Sequence, residues 1–312
     1  MVQPVSRPIR GRYAPSPTGR LHLGNVRTAL LSWLQIRALG GTYVMRIEDV
    51  DTGRSRPGFE ATLLEDLRWL GLDWDEGPRI GGPHGPYRQS ECSERYAEAL
   101  ARLDTFECTC TRKEVRAAAA AGLGTEPVYP GTCVAGPTHL DRARAVRWCA
   151  PDQTVTVTDG RMGTRTENLR RDAGSFLLRR TDGDWAYNLA VVVDDGFMGI
   201  THVLRGADLW SSTPRQVGLA QALGLQAPAF THAPLLCGPD GEKLSKKHGA
   251  PDVAALREAA EDPRRVVAWL ARSVGLAKEG VRTASAAELV ADFAVEAIED
   301  RPLPPSPDPW RL

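Results

Sequence analysis

The chain has 312 residues, of which 42% are hydrophobic and 25% are charged. This composition is that of an ordinary globular protein with room for about two domains. Lysine plus arginine and aspartate plus glutamate both number 39, so no overall positive charge points to nucleic acid. The sequence has no apolar run long enough to span a bilayer, and its first residues lack the apolar stretch of a signal peptide. We therefore expect a cytoplasmic, monomeric protein without a membrane partner.

A nucleic-acid surface would have to be local, and basic side chains are frequent in one stretch and one short loop. The alternative interpretation is that these side chains lie on solvated faces and are balanced by nearby acids, and charge alone leaves this open. The candidates are Arg161, Arg165, Arg170, Arg171, Arg179, Arg180, Lys246 and Lys247.

The segment 12–25 combines a strand end, a stiff loop and a helix start. Pro15 and Pro17 fix φ and lack a backbone donor, so neither a strand nor a helix can run through them. Gly24 allows close approach of a ligand, and His22 stands where an amphipathic helix begins. Free N–H groups at a helix start favour anions, so this loop is a candidate phosphate site. Taken alone, however, a histidine at a helix start is more often a capping or packing residue.

Strand, helix and strand follow one another near the amino terminus and predict a βαβ unit. Its strands are predicted at 9–14 and 42–47, and Glu48 then falls at the carboxyl end of the second strand, where open α/β sheets bind ligands. Alternation at 154–158 predicts a half-buried strand, whereas periodicity leaves 184–195 open between helix and strand. Further elements are predicted as helices at 57–70, 87–103, 113–121, 213–223, 252–274 and 285–298, the last with a Ser285-x-x-Glu288 capping box, and as strands at 201–205 and 230–236.

Cysteine spacing raises the possibility of a metal site. Cys108 and Cys110 form a Cys-x-Cys motif, and Tyr129 stands four residues before Cys133. Three thiolates and a phenolate could complete a tetrahedral zinc site without an open position. The tight cysteine spacing and the rarity of tyrosine as a ligand leave this interpretation open, and His139 competes with Tyr129 for the fourth place.

The stretch 238–249 consists of turn formers, lysines and small polar residues and is predicted to be a mobile surface loop. A loop with lysines and a hydroxyl can fold over a triphosphate and neutralise the charge that develops on the leaving pyrophosphate. By itself this loop would be interpreted as a solvated turn. Joined to the histidine and glycine at 22 and 24, it predicts a nucleotide site.

Two short motifs resemble the signatures of the class I aminoacyl-tRNA synthetases. His22-Leu-Gly-Asn25 is similar to the HIGH signature, with Asn25 in the place of the second histidine, so that an amide replaces a group that can carry charge. Lys243-Leu-Ser-Lys-Lys247 is similar to the KMSKS signature. The resemblance covers roughly residues 10–250. Three further segments are similar to the glutamyl branch of this family, namely 12–19, 46–49 and 199–208.

This resemblance implies an α/β fold with a Rossmann-type parallel sheet, an inserted α+β subdomain that carries zinc, and a helical segment at the carboxyl end. The expected first half of the catalytic domain is 8–104, and the insertion is 105–183. The second half with the lysine loop is expected at 184–250, the helical segment at 251–300 and a disordered tail at 301–312.

The resemblance also implies roles for residues at matching positions. The glutamate substrate would be held by arginine forks on its carboxylates, a carboxylate on its ammonium group, and further polar contacts, from Arg12, Ala14, Ser16, Glu48, Tyr187 and Arg205. ATP, together with magnesium, would be bound by His22, Gly24, Asn25, Lys243 and Lys246, among which His22, Lys243 and Lys246 would be catalytic. One structural zinc per chain would be held by Cys108, Cys110, Tyr129 and Cys133. Without the motifs, Arg12, Glu48 and Arg205 could equally be an internal ion-pair set.

Full glutamyl synthetases continue after the lysine loop with a long anticodon-binding region, whereas 65 residues follow Lys247 here. This brevity and the cysteine motif resemble the glutamyl-queuosine tRNA(Asp) synthetases. The resemblance implies activation of L-glutamate with ATP and transfer of the glutamate to the queuosine base in the anticodon of tRNA(Asp).

Three other functions remain open at this stage. A truncated glutamyl-tRNA synthetase would charge the 3′ end of tRNA(Glu). A small-metabolite nucleotidyltransferase can share the His-x-Gly pattern, although it would not need Arg12, Glu48 and Arg205 together. A catalytically silent RNA-binding paralogue would not form glutamyl-adenylate.

Overall fold

The computed structural model of this protein describes residues 7–118, 128–238, 242, 244 and 251–300. The predicted disordered tail lies outside these residues. The strands are β1 (Arg10–Tyr13), β2 (Thr42–Met45), β3 (Thr105–Cys108), β4 (Ala145–Trp148), β5 (Thr154–Asp159), β6 (Gly163–Asn168), β7 (Leu177–Arg179), β8 (His202–Gly206) and β9 (Ala229–Ala233). The helices are α1 (Leu23–Ala38), α2 (Pro57–Trp69), α3 (Ser93–Ala101), α4 (Arg112–Ala118), α5 (Tyr187–Phe197), α6 (Thr213–Ala222), α7 (Val253–Glu258) and α8 (Pro263–Arg272).

The main sheet has six strands within the described residues, in the order β2-β1-β8-β9-β5-β6. The first five are parallel to their neighbours, and β6 adds an antiparallel edge. The predicted Rossmann-type parallel sheet is therefore confirmed. From the central pair β1 and β8 the chain winds in opposite directions, through α1 to β2 and through α6 to β9. Such a switch point leaves a crevice at the carboxyl ends of the strands.

Helices cover both faces of this sheet because its strands are apolar on both sides. In β2, Tyr43 and Met45 face a core with α1, α2 and α8, whereas Val44 faces a second core with α3, α5 and α6. This alternation follows from the two-residue period of a strand. In the described part of the chain, no helix is long and apolar enough to cross a membrane.

Helix α1 approaches β1 closely at Gly11. A Cβ atom on Gly11 would lie 2.3 Å from Ile36 Cγ1 and 2.4 Å from Ile36 Cδ1, and Ile36 is buried. We expect Gly11→Ala to lower the free energy of unfolding by about 1–3 kcal/mol, since overpacking forces a buried side chain out of its rotamer. Thermal or urea unfolding would measure this.

Gly58 provides the matched control for that substitution. It lies exposed in α2, and a Cβ atom there would have no heavy atom within 4 Å. Gly58→Ala should leave stability unchanged or raise it by less than about 1 kcal/mol, because alanine favours helix. Equal effects of the two substitutions would contradict the close packing of α1 on β1.

The insertion contains a smaller antiparallel sheet in the order β3-β4-β7, with α4 beside it. The expected insertion 105–183 also includes the strand predicted at 154–158, which the structure shows as β5 in the hairpin β5-β6. In the structure the hairpin instead extends the main sheet, because β5 pairs with β9 through Asp159 and Phe230. Alternation shows that a segment is a strand, but it does not identify the partner strand.

The structure decides one segment that the sequence left open and differs from the prediction in two others. The ambiguous segment 184–195 forms most of helix α5. The predicted helix 252–274 divides into α7 and α8, because Pro263 begins a new helix that Asp262 caps. The segment 285–298 forms only short 3₁₀ turns, so the long helix predicted there is wrong. Its capping box is nevertheless present, with Ser285 N donating to Glu288 Oε2 at 2.7 Å.

Candidate active site

A cavity of about 720 Å³ opens at the carboxyl edge of the main sheet, among the segments that follow β1, β2, β8 and β9. It is lined by every described residue that the sequence assigns to substrate binding. These are Arg12, Ala14, Ser16, Glu48, Tyr187 and Arg205 for glutamate, and His22, Gly24 and Asn25 for ATP. Lys243 and Lys246 lie outside the described residues, so their role stays a prediction.

The loop after β1 forms one wall of the cavity and is braced by backbone hydrogen bonds. Glu48 N donates to the Pro15 carbonyl at 2.9 Å, and Arg56 N donates to the Pro17 carbonyl at 3.0 Å. The two prolines lack donors of their own, but their carbonyl groups hold the chain that follows β2. The loop is thus tied to Glu48, another residue of the cavity.

Helix α1 directs its amino-terminal end towards the same cavity. His22 occupies the N-cap position, and its side chain makes no capping hydrogen bond. Gly24, Asn25 and Thr28 from the first turns also line the cavity. The helix dipole at this end attracts anions, which suits the phosphates of a nucleotide.

Arg205 stands at the carboxyl end of β8 and is surrounded by neutral hydrogen-bond acceptors. Its Nε donates to His232 Nε2 at 3.0 Å, its Nη1 to Gln216 Oε1 at 2.7 Å, and its Nη2 to Thr213 Oγ1 at 2.9 Å. No carboxylate of the described residues forms an ion pair with this guanidinium within 4.0 Å. Burial lowers the pKa of Arg205, because desolvation penalises its charge. A buried cation without a contacting carboxylate is suited to bind an anionic ligand.

Arg12 and Glu48 belong to a second buried charge cluster, which Arg46 and Asp195 complete. Asp195 accepts from Arg46 Nη1 at 2.7 Å and from Arg12 Nε at 3.3 Å. Arg46 Nη2 donates to Glu48 Oε1 at 3.0 Å. Burial raises the pKa of Glu48, although Arg46 and Arg12 oppose this shift. For Asp195 the two arginines outweigh the effect of burial and lower the pKa of the carboxyl group.

Tyr187 begins α5 and lines the cavity beside these charges. Burial raises the pKa of its hydroxyl, since the phenolate would be poorly solvated. The hydroxyl therefore stays protonated and can donate a hydrogen bond to a ligand.

Sequence reasoning assigned no role to several residues that hold these charged side chains. Asp195 carried a detectable signal, because two adjacent acids end an apolar stretch that the fold buries. Arg46 lies in one of the segments of family resemblance, yet it was not placed in the site. Gln216 and His232 carried no comparable signal, since a single polar residue in a helix or strand does not show what it faces.

The insertion brings the predicted metal ligands together. The Sγ atoms of Cys108, Cys110 and Cys133 all lie within 4.8 Å of one another. Tyr129 Oη is 3.4 Å from Cys108 Sγ and 3.7 Å from Cys110 Sγ. Cys110 Sγ and Cys133 Sγ are 3.6 Å apart, close to the edge of about 3.8 Å of a tetrahedron with metal–sulfur bonds of about 2.3 Å. These four donors fit a four-coordinate metal ion.

The structure distinguishes between the two candidates for the fourth ligand. Tyr129 Oη accepts a hydrogen bond from Cys133 N at 2.8 Å, and the Arg147 guanidinium lies 4.0 Å from the centroid of the tyrosine ring. His139 Nε2 instead lies 3.8 Å from Glu114 Oε1. The Tyr129 hydroxyl therefore lies beside the three thiols, whereas the His139 side chain lies beside Glu114.

All six arginines between 161 and 180 have partners within the protein. Arg165 pairs with Glu167, Arg171 with Asp172, and Arg180 with Asp51 and Asp182. The others donate to backbone carbonyl groups, namely Arg161 to Ile298, Arg170 to Ala150 and Arg179 to Gly183. The charge of this stretch therefore does not by itself define a nucleic-acid surface. Lys246 and Lys247 lie outside the described residues.

The parallel sheet, the switch-point cavity and the helix start beside it define the catalytic fold of a class I aminoacyl-tRNA synthetase. Residues 8–301 match the family model of tRNA synthetases class I (E and Q), catalytic domain. The chain belongs to this family, and the prediction of a ligase of the aminoacyl-tRNA synthetase type is confirmed.

The chain is similar to named members of this family. The chain is 53% identical to the glutamyl-Q tRNA(Asp) synthetase of Deinococcus radiodurans over 85% of this chain and 89% of the relative. It is 51% identical to the protein of the same name from Symbiobacterium thermophilum over 85% and 86%, respectively. The crystal structure of a glutamate-tRNA synthetase from Elizabethkingia anophelis superposes with a TM-score of 0.81 at 30% identity, covering 97% of this chain and 69% of that one.

Proposed function

We propose that this enzyme activates L-glutamate with ATP and transfers the glutamate to the queuosine base in the anticodon of tRNA(Asp). The observation that carries the proposal is the gathering of Arg12, Glu48 and Arg205 in one cavity beside the start of α1. Such a cavity offers cations for two carboxylates, an anion for an ammonium group and a helix end for phosphate. The choice of tRNA is supported by the two relatives above 50% identity, both named for that reaction.

The reaction would proceed in two displacements. A carboxylate oxygen of glutamate attacks the α-phosphorus of ATP, and pyrophosphate leaves with its electron pair. A hydroxyl of the queuosine cyclopentene diol then attacks the carbonyl carbon of glutamyl-adenylate and loses its proton to solvent, and AMP leaves with the electron pair of the broken C–O bond. No protein side chain needs to form a covalent bond, so positioning and charge stabilisation account for the catalysis.

The residues of the cavity divide between the two substrates. Arg12 and Arg205 would hold the carboxylates of glutamate, and Glu48 would hold its ammonium group. Tyr187 and Ser16 would add hydrogen bonds beside the backbone at Ala14. His22, Gly24 and Asn25 would face the phosphates of ATP, which enters with magnesium. Lys243 and Lys246 would neutralise the leaving pyrophosphate. The tRNA substrate in turn implies that the enzyme works in the cytoplasm.

We also propose that the cluster of Cys108, Cys110, Tyr129 and Cys133 holds zinc. Zinc prefers sulfur-rich tetrahedral sites, and four protein ligands leave no position for a substrate. The metal would therefore be structural. It would stabilise the part of the insertion where the ligands pack with Val115 and with the partly buried Phe106.

The proposal is tested by charging tRNA(Asp) with labelled glutamate. We expect glutamate-dependent ATP–pyrophosphate exchange without tRNA, followed by labelling of queuosine-containing tRNA(Asp). The same tRNA transcribed without queuosine should remain unlabelled, because it lacks the accepting hydroxyl. The label should be released by mild alkali, as expected of an ester.

Cleavage of the labelled tRNA between anticodon and acceptor stem locates the glutamate. Label on the anticodon fragment of tRNA(Asp) agrees with the proposal. Label at the 3′ end of tRNA(Glu) would instead identify a glutamyl-tRNA synthetase activity, which the likeness to the Elizabethkingia enzyme keeps as the second candidate.

A further inference from the structure

We infer that Asp159 and His232 are positioning residues that hold Arg205 ready for a carboxylate of the amino-acid substrate. Asp159 ends β5 and His232 lies in β9. The chain of hydrogen bonds from Asp159 through His232 to Arg205, called the relay below, connects the edge hairpin of the sheet to the cavity. The inference rests on the proposed glutamate site, and it adds the two residues that orient one of the arginines of that site.

The hydrogen bonds of Asp159 determine which nitrogen of His232 carries the proton. Asp159 Oδ1 accepts from the backbone N–H groups of Arg161 and Met162, both at 2.9 Å. Asp159 Oδ2 lies 2.6 Å from His232 Nδ1. A carboxylate can only accept, so His232 Nδ1 must donate. Arg205 Nε can only donate and contacts His232 Nε2, so this nitrogen must present its lone pair. Both side chains are fully buried, so bulk water does not compete for these positions.

The lone pair on His232 Nε2 faces the Nε–H group of Arg205 at 3.0 Å. Gln216 is oriented in the same way, because its Nε2 donates to Asn188 Oδ1 at 3.0 Å and its Oε1 therefore faces Arg205 Nη1. With Thr213 on Nη2, three donors of the guanidinium are used. A guanidinium has five N–H donors, so two are not used by the described residues and can serve a ligand.

The hydrogen bonds of Arg205 orient its guanidinium group but do not neutralise its charge. The described groups that accept hydrogen bonds from Arg205 are neutral, so they fix the plane of the guanidinium without cancelling its charge. The carboxylate of Asp159 lies beyond the imidazole ring, where it sets the tautomer of His232 rather than occupying the carboxylate position beside Arg205. Arg12, in contrast, is already bonded to Asp195.

Asp159→Asn tests this relay with little change of shape. The oxygen of the introduced amide can still accept from the backbone, but the amide nitrogen now donates to His232 Nδ1. The ring proton then moves to Nε2, and two donors face each other at Arg205. We expect the KM for glutamate in ATP–pyrophosphate exchange to rise about 10- to 100-fold, the range for a lost hydrogen bond to a charged group. The KM for ATP should change less than about twofold, because Arg205 does not face the nucleotide.

Asp152→Asn is the matched control. Asp152 precedes the same hairpin, is exposed and accepts from Asn168 Nδ2 at 2.7 Å. Both KM values should be unchanged in this variant. An unchanged glutamate KM in Asp159→Asn, or equal increases of both KM values, would overturn the inference, since the latter indicates a general loss of structure.

Nitrogen-15 NMR of the unsubstituted protein gives a second test that needs no variant to fold. His232 should be neutral and protonated on Nδ1, whereas a ring protonated on Nε2 or on both nitrogens would overturn the relay. An unsubstituted enzyme without glutamate-dependent exchange would refute the proposed function and this inference together. An active enzyme whose Asp159→Asn variant behaves identically would refute this inference alone.

Discussion

Arg205→Gln should raise the KM for glutamate about 100- to 1,000-fold in ATP–pyrophosphate exchange, while the KM for ATP stays within about threefold. The substitution removes a buried cation from the proposed carboxylate site and keeps a polar side chain in the cavity. Truncating one partner of a buried charged pair costs roughly 3–4 kcal/mol, and each 1.4 kcal/mol is about tenfold in affinity. The measurement is the glutamate dependence of the exchange rate at saturating ATP.

Two further variants are needed to interpret the result for Arg205→Gln. Arg205→Lys keeps the charge but loses the planar fork, so its KM for glutamate should fall between those of the unsubstituted enzyme and Arg205→Gln. His22→Ala should slow adenylate formation and leave the glutamate KM largely unchanged, because His22 lies at the helix end assigned to ATP. The reverse pattern, with His22 governing glutamate and Arg205 governing ATP, would contradict the division of the cavity.

The loop, helix and strand end around this cavity could be predicted because short stretches of the sequence indicate each of them. Pro15 and Pro17 stop regular structure, and the apolar periodicity after residue 22 predicts the helix that the structure places at Leu23–Ala38. The position of Glu48 after β2 was sufficient to place it at the ligand-binding edge, and it lines the cavity. Family resemblance then connected residues far apart in sequence, such as Arg12 and Arg205.

Features that depend on pairing between distant segments could not be predicted in this way. The hairpin β5-β6 was placed in the insertion because nothing local indicates that Asp159 lies opposite Phe230. The segment 285–298 has helix-forming residues and a genuine capping box, yet the chain continues there in short 3₁₀ turns. A capping box stabilises the first turn of a helix and does not determine how many turns follow.

The electrostatic difference between the two cavity arginines was also invisible in the sequence. The family resemblance assigned both to carboxylates on equal terms, and guanidinium forks suit carboxylates at either position. In the structure Arg12 already contacts Asp195, whereas the hydrogen bonds of Arg205 go only to neutral acceptors among the described residues. The charge of Arg205 is therefore less compensated before substrate binds, which is why its substitution is expected to have the larger effect on glutamate binding.

The zinc proposal predicts a large effect on stability rather than on chemistry. The purified protein should contain one zinc per chain by elemental analysis, and Cys133→Ser should remove it, since a hydroxyl is a poor ligand for this metal. At a zinc concentration about 1,000 times the Kd, bound metal adds about 4 kcal/mol to the free energy of unfolding. Chelation or the substitution should therefore lower the unfolding temperature. Glutamate-dependent pyrophosphate exchange should persist below that temperature, because the ligands lie outside the substrate cavity.

Tyr129→Phe and His139→Ala together identify the fourth ligand. Tyr129→Phe removes one oxygen from the cluster that contains the three thiols, so zinc should be lost to a chelator at a lower concentration than in the unsubstituted protein. His139→Ala removes a side chain that contacts Glu114 instead, and zinc retention should not change. Loss of zinc in His139→Ala with full retention in Tyr129→Phe would show that the histidine completes the site, and the insertion would then have to rearrange when the metal binds.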